Sequence, residues 1–457
     1  MPMIVVVGGG PGGYVAALCA ARRGHAVTLV ERESLGGTCL NRGCIPTKAL
    51  IAGARLYNRM KNSSSFGVTA DAVRFDAALM HQRKNRVVES LRSGIEKLLH
   101  SYKVDVLHGD ATLLGNRAVR VQEGSGLIKE LSPDYVILSP GSHSKDLPFL
   151  KADGVTVLDS THALELEELP QDMLIIGGGV IGLEFAHMYS CLGVKITVIE
   201  ALPQVLPGFD TQLTSRLAQA LKKAGVLIKT GARISSVAVD SGATVRLESG
   251  EEFKSSKVLL SVGRKPDLSV LSDTCDVRTE NGRISVNPHL GTGVPGVYAI
   301  GDAVSPLMLA HVASAQAEIA VENICGGTRE FDFSVVPACV FSAMDYASVG
   351  VTEDDLKKNN TPFKSGLFHL AASSMALAMG CPEGLVKVLS SPDGRILGAH
   401  ILGEGAPDMI HELALAMKCG IDAHQVSDVI HAHPTLSESV REACADVFSA
   451  AVHKYYR

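Results

Sequence analysis

Two cysteines, Cys39 and Cys44, stand four residues apart in Gly36-Gly37-Thr38-Cys39-Leu40-Asn41-Arg42-Gly43-Cys44-Ile45-Pro46-Thr47-Lys48. Four intervening residues form a loop small enough for a disulfide to close, and Gly43 relieves the tight backbone this requires. Pro46 suits the first turn of a helix, which Lys48-Ala49-Leu50 continues. Cys44 then sits at a helix N-terminus, where the partial positive charge of the backbone favours a thiolate. A redox-active dithiol is the leading reading. A structural disulfide belongs to oxidising compartments, and nothing here points to secretion. A zinc site needs a second pair at ligand spacing, and none is present. Two inert thiols remain open, although they leave the glycines and Pro46 unexplained.

A second cluster lies near the C-terminus, at His431-Ala432-His433-Pro434-Thr435-Leu436-Ser437-Glu438. Pro434 restricts His433 to an extended conformation and is expected to pre-form the start of the last helix. Glu438 is then placed to accept from one ring nitrogen of His433 and fix the tautomer of the other. A histidine held this way can take a proton from a thiol. The spacing alone leaves a structural histidine as the alternative, for His431 more than for His433.

The elements that must position these groups form a repeated pattern. An apolar run, Ile4 to Val7, feeds Gly8-Gly9-Gly10-Pro11-Gly12-Gly13, an alanine-rich helical stretch and a second strand ending at Glu31. This is a βαβ start with G-x-G-x-x-G at the turn and an acid after the second strand. The glycines let a pyrophosphate approach the helix N-terminus, and Glu31 is placed for ribose hydroxyls. The pattern returns at Met173 to Ile176, Gly177-Gly178-Gly179-Val180-Ile181-Gly182 and the strand ending at Glu200. Gly8 to Gly177 and Glu31 to Glu200 are both 169 residues apart. One unit looks duplicated, and two dinucleotide sites follow. Val136 to Ser142 and Val258 to Arg264 echo each other as strands ending in glycine turns, where the chain leaves each unit. Glu200 disfavours a 2′-phosphate, and no lysine or arginine occurs from Ala201 to Ser215, so the second site reads as one for NAD. A mere surface acid is the alternative for Glu200. A further strand ends at Gly301-Asp302, where the acid serves either a polyol or a turn.

At 457 residues the chain is long enough for three domains, with 46% hydrophobic residues, 20% charged and 45 glycines. A net charge of −5 gives no footprint for nucleic acid or an anionic membrane surface. No apolar run approaches the ~20 residues of a membrane span. Met1-Pro2-Met3 leads straight into the first strand, so neither signal nor transit peptide is expected, and the cytoplasm is the default location. Of ten cysteines only Cys39 and Cys44 form a recognisable pair. Residues 50–100 carry helical patterning, with strands and turns over 104–137 and a helix over about 309–324. After Gly326-Gly327 and from about Pro337, alternating strands and two helices, about 406–419 and 437–452, mark a separate α+β domain.

Together these motifs resemble the flavin disulfide reductases, over essentially the whole chain and in order. GGTCLNRGCIPTKAL carries the resemblance most specifically, and HAHPTLSE is similar to the dihydrolipoamide-oxidising branch. The resemblance implies an α/β fold with two Rossmann-like domains, for FAD and NAD, and a C-terminal α+β dimerisation domain. The expected FAD domain is discontinuous (1–145 and 265–335), the NAD domain spans 146–264 and the interface domain 336–457. It implies a homodimer in which His433 and Glu438 complete the active site of the opposite subunit. The implied partner is the lipoyl domain of a 2-oxoacid dehydrogenase complex or of glycine cleavage. The implied catalytic residues are Cys39 as interchange thiol, Cys44 as the thiol facing the flavin, His433 and Glu438. Lys48 and Glu184 match an ion pair near the reactive flavin nitrogen. Gly8, Gly10, Gly13, Glu31, Ala111, Gly141, Ser142, Asp302, Met308, Leu309, Ala310 and His311 match the FAD side. Gly177, Gly179, Val180, Ile181, Gly182, Glu200 and Gly263 match the NAD side. No metal ligand is implied. The chain departs from the family pattern at Ser139-Pro140-Gly141 (usually Ala-Thr-Gly), Val312 (usually lysine), Met344-Asp345 (usually Pro-Glu) and Met375 (usually arginine). Glutathione-type reductases usually prefer NADPH. Mercuric and thioredoxin reductases of this fold carry extra C-terminal redox residues, absent from the tail Ala450 to Arg457. A binding subunit that has lost turnover is disfavoured by the intact Cys39, Cys44, His433 and Glu438.

Overall fold

The computed structural model describes residues 2–456. The expectations touching Met1 and Arg457 lie outside the described residues. Met3–Val7 is the central strand of a five-stranded parallel sheet in the order Val297–Ala299, Tyr135–Leu138, Met3–Val7, Ala26–Glu31, Asp105–His108. Its β-branched residues Ile4, Val5 and Val6 are fully buried because helices cover one face of the sheet, over Ile4 and Val6, and the strands carrying Leu113, Val119 and Val121 cover the other, over Val5. A second parallel sheet has the order Val157–Leu158, Lys257–Leu260, Asp172–Ile176, Lys195–Ile199, Leu227–Lys229. The two sheets have the same arrangement about their central strands. The likeness extends further than the sequence echoes. Each unit also carries a three-stranded antiparallel meander, Asp110–Leu113 to Ile128–Leu131 in one and Ile234–Val239 to Glu252–Ser255 in the other.

The two echo segments run into strands that pair with each other. Ser142–Ser144 and Arg264–Pro266 form a two-stranded antiparallel ribbon where the chain leaves and re-enters the first unit. A third, antiparallel sheet, Ala338–Val340, Tyr346–Gly350, Ile396–Leu402, Leu385–Ser390, Lys364–His369, is packed by helices Ala406–Cys419 and Glu438–Asp446.

Three local expectations are corrected. The stretch around Cys39 is a short helix rather than a loop. The last helix is shorter than expected and ends at Asp446. Pro434 does not open it: the first helical residue is Glu438, and Pro434 lies in the irregular segment before it. Among the described residues no helix is long and apolar enough to cross a membrane.

Candidate active site

The dithiol spans two helices. Cys39 lies in α2 (Gly37–Arg42) and Cys44 opens α3 (Cys44–Lys61), with Gly43 as the break between them. Gly43 has φ −142°, so glycine is favoured there by space rather than by a left-handed backbone. A Cβ would lie 2.9 Å from the Thr38 carbonyl oxygen. Asn41 fastens α2, its side-chain amide donating to the carbonyls of Leu35 (3.0 Å) and Gly37 (2.9 Å). Gly37 abuts the first glycine turn, where a Cβ would stand 2.6 Å from Gly10 Cα. The dithiol is therefore built against that turn.

Both cysteines are free thiols here, Cys39 half-buried and Cys44 exposed. The hydrogen bond from Cys39 brings the Cys44 thiol down to about 7, and nearby Lys48 adds to the effect. Being held as the donor to Cys44 pushes the Cys39 thiol up. Lys48 is one helical turn beyond Cys44 on α3, so its ammonium shares that face. It donates to both carboxylate oxygens of Glu184, at 2.9 and 2.8 Å. Glu184 comes from helix Val180–Cys191 of the second unit and is only 4% exposed. Burial raises its carboxyl pKa. It also accepts from the Phe341 backbone N–H (3.2 Å), so the third domain touches the pair as well. Farther along α3, Arg55 bonds Asp345 and the Ser342 carbonyl (2.7 Å), and Arg59 bonds Glu404 (3.0 Å). Leu50, Ile51 and Ala54 bury the opposite side of α3 in a core shared with Phe185, Tyr189, Val340 and Tyr346. Arg55 and Asp345 went unassigned in the sequence. Only the latter's departure from the family pattern marked the position.

The two glycine turns match at the level of hydrogen bonds. Glu31 accepts from Gly9 N–H (2.6 Å) and Glu33 N–H (2.8 Å), and Glu200 from Gly178 N–H (2.7 Å) and Leu202 N–H (2.8 Å). Gly8 (φ 95°) and Gly177 (φ 106°) are left-handed. A Cβ there would lie 2.2 Å from the Ser139 carbonyl oxygen and 2.4 Å from that of Ser261, respectively. Helix α1 (Pro11–Arg22) and helix Val180–Cys191 both start without a side-chain cap. Helices beginning after Asp76, Asp210, Thr352 and Asp422 all have one. Uncapped N-termini behind glycine turns fit the pyrophosphates of FAD and NAD.

Of the other first-unit positions, Asp302 accepts from the Ser142 hydroxyl, and Ser142 opens the crossover ribbon. Ala111 lies in the meander strand Asp110–Leu113. Met308, Leu309, Ala310 and His311 lead into helix Ala310–Ile324, with His311 Nε2 2.8 Å from the Pro337 carbonyl oxygen. His433 Nδ1 lies 2.9 Å from Glu438, whose second oxygen accepts from Thr435 N–H (2.9 Å). The Thr435 bond, with the His433 bond, holds the Glu438 carboxyl below its usual value. The His433 side chain is 69% exposed. By contrast, the His431 side chain is 6% exposed, between Glu412 (2.8 Å) and the Val429 carbonyl (2.9 Å), which suits the structural alternative. Among the described residues, no hydrogen bond or ion pair within the chain joins His433 to Cys39 or Cys44.

A family model described as pyridine nucleotide-disulphide oxidoreductase matches residues 2–317, and one for the dimerisation domain of the same proteins matches residues 336–444. The chain is 39% identical to a dihydrolipoyl dehydrogenase of Bacillus subtilis (strain 168), with 98% of each covered. The crystal structure of LpdA from Mycobacterium tuberculosis superimposes with a TM-score of 0.92 at 27% identity, covering 97% of this chain and 99% of that one. The HOCl-induced flavoprotein disulfide reductase RclA from Escherichia coli gives 0.87 at 28%, covering 97% and 99%.

Proposed function

The chain belongs to the pyridine nucleotide-disulphide oxidoreductases, and from that premise we propose that it acts as a dihydrolipoyl dehydrogenase, oxidising protein-bound dihydrolipoamide and reducing NAD⁺. The observation that carries this reading is the asymmetry of the dithiol. Cys44 opens an 18-residue helix with Lys48, itself held by Glu184, one turn on, while Cys39 lies on the short helix before it.

The residues act as follows. Starting from the Cys39–Cys44 disulfide, one sulfur of dihydrolipoamide attacks Cys39 Sγ and releases Cys44 as a thiolate. The second substrate sulfur then displaces Cys39, closing the lipoamide disulfide and leaving the protein dithiol reduced. His433, oriented by Glu438, takes the proton from the substrate thiol, a contribution of ~10²–10⁴-fold. Lys48 stabilises the Cys44 thiolate, and Glu184 keeps Lys48 in place. FAD, held at the first glycine turn, would supply the two-electron link between this dithiol and NAD⁺. Residues 1–145 with 265–335 hold FAD, 146–264 hold NAD, and 336–457 form the interface. The match of residues 336–444 to a dimerisation domain supports a homodimer. Its partner is a lipoyl domain of a 2-oxoacid dehydrogenase complex or of glycine cleavage, and its compartment the cytoplasm.

The test compares substrates on purified protein. Rapid NAD⁺ reduction by dihydrolipoamide is expected. A preference for NADPH with glutathione disulfide would overturn the substrate assignment. Cys44→Ser should abolish the dihydrolipoamide reaction while FAD stays bound.

A further inference from the structure

Arg264 follows Gly263 at the exit of the second nucleotide unit. Its guanidinium points back into the first unit. Nε donates to Ser142 Oγ at 2.8 Å and a terminal nitrogen to the Ser142 carbonyl at 2.6 Å. The Ser142 hydroxyl, accepting from Arg264, turns its own proton to the Asp302 carboxylate. The backbone around this relay is fixed by the crossover ribbon, in which Arg264 pairs with Ser144 and Pro266 with Ser142. Lys145 N–H to the Gly263 carbonyl (3.0 Å) and Asp267 N–H to the Gly141 carbonyl (2.9 Å) close its two ends. Asp267 also holds Arg32 at 2.6 Å, next to Glu31. The crossover strand thus reaches the first unit's Gly301-Asp302 turn through Arg264 and Ser142, while Asp267 just beyond it reaches Arg32.

A planar guanidinium can bond a hydroxyl and a carbonyl of the same residue at once, which an ammonium on a flexible stem does not reproduce. A serine hydroxyl has one proton. With an arginine donating to its oxygen, the energetically preferred use of that proton is the charged acceptor. The orientation of Asp302 is therefore set by a residue belonging to the other nucleotide unit.

We propose that Arg264 is a positioning residue which, through the Ser142 hydroxyl, fixes the Asp302 carboxylate for FAD, so that the end of the NAD unit governs retention and tuning of the flavin. The proposal rests on the reading of Asp302 as an FAD contact.

The experiment is a double-mutant cycle on the full-length holoenzyme. FAD release is followed by the fluorescence of freed flavin, and the midpoint potential of the bound flavin is measured alongside. Arg264→Met is expected to speed FAD release about tenfold, the usual scale for losing a charge-assisted bond. Arg264→Lys should recover little of this. Ser142→Ala, a small change, keeps the test open should Arg264→Met fold poorly, and should speed release in the same direction. The double variant should be no worse than Arg264→Met alone, in release and in potential. Lys265→Gln, on the neighbouring exposed side chain, should match the wild type in both. Additive effects, full rescue by lysine or unchanged FAD release in Ser142→Ala would each overturn the proposal. These readouts need no lipoyl substrate. Wild-type protein that holds FAD but does not oxidise dihydrolipoamide would sink the substrate assignment and leave the relay standing.

Discussion

At the scale of residues, the two thiols of the proposed dithiol differ in their surroundings. Cys44 has the N-terminus of an 18-residue helix behind it, Lys48 one turn on, and a hydrogen bond from Cys39. Cys39 has only a short helix and holds the proton. The lowered pKa of Cys44 means its thiolate is present above about pH 7 and lost below it. In the reduced protein, ultraviolet thiolate absorbance is expected to rise through that pH. Cys44→Ser should remove the step, and Lys48→Met should move it to higher pH, because Lys48 favours the charged form. A step that persists in Cys44→Ser would place the low-pKa thiol elsewhere.

At the scale of elements, the two nucleotide turns are made by the same device: left-handed glycine, uncapped helix and an acid closing back on the turn. The constraint is steric and local, so each turn should fail separately. Gly177→Ala would press a methyl group to 2.4 Å from the Ser261 carbonyl oxygen at a φ of 106°. NAD⁺ binding should fall below detection in titration calorimetry, while the flavin absorption spectrum keeps its intensity. Loss of flavin together with NAD⁺ affinity would mean that the two units do not fold independently at this point. Helix α3 is held by long-range contacts. Lys48, Arg55 and Arg59 tie it to Glu184, Asp345 and Glu404, and its apolar side enters the core shared by the second unit and the third domain.

At the scale of the whole molecule, the base and the dithiol are on different parts of the chain, and His433 faces outward. A homodimer solves this if each His433–Glu438 pair serves the partner's dithiol. Subunit mixing tests the point. Cys44→Ser and His433→Gln homodimers should each be inactive. In a random mixture half the dimers are hybrids, each with one complete site, so activity should return to about a quarter of the wild-type level. No recovery, despite hybrids being detected by native mass spectrometry, would require a site made within one subunit.

Much of this was legible in the amino-acid sequence because it is local. The glycine turns, their acids, the cysteine spacing and the strands feeding them depend on backbone sterics and on neighbours a few residues away. The equal 169-residue offsets made the duplication visible without coordinates. The errors were also local, where a pattern was ambiguous. The residues between Cys39 and Cys44 were expected to form a loop, yet Gly37–Arg42 is a short helix, with Gly37 packed closely against Gly10. Pro434 suggested a helix start, which falls at Glu438 instead. Other features depend on contacts between residues far apart in the chain, and no periodicity encodes those. Lys387 reads as an ordinary lysine in a strand, yet it is 1% exposed, with its ammonium 2.7 Å from Asp210 and 2.5 Å from Glu353. Such a charge is tolerable in the interior only because tertiary folding brings two acids to it. The same holds for Arg55 with Asp345 and for Arg264 with Ser142 and Asp302. The sequence by itself determined which groups the proposed chemistry draws on and which glycine turns recur, since those follow from residue type and short spacing. Only the tertiary structure decided which charges meet, because a pair stabilises the fold only where packing has already removed the competing water.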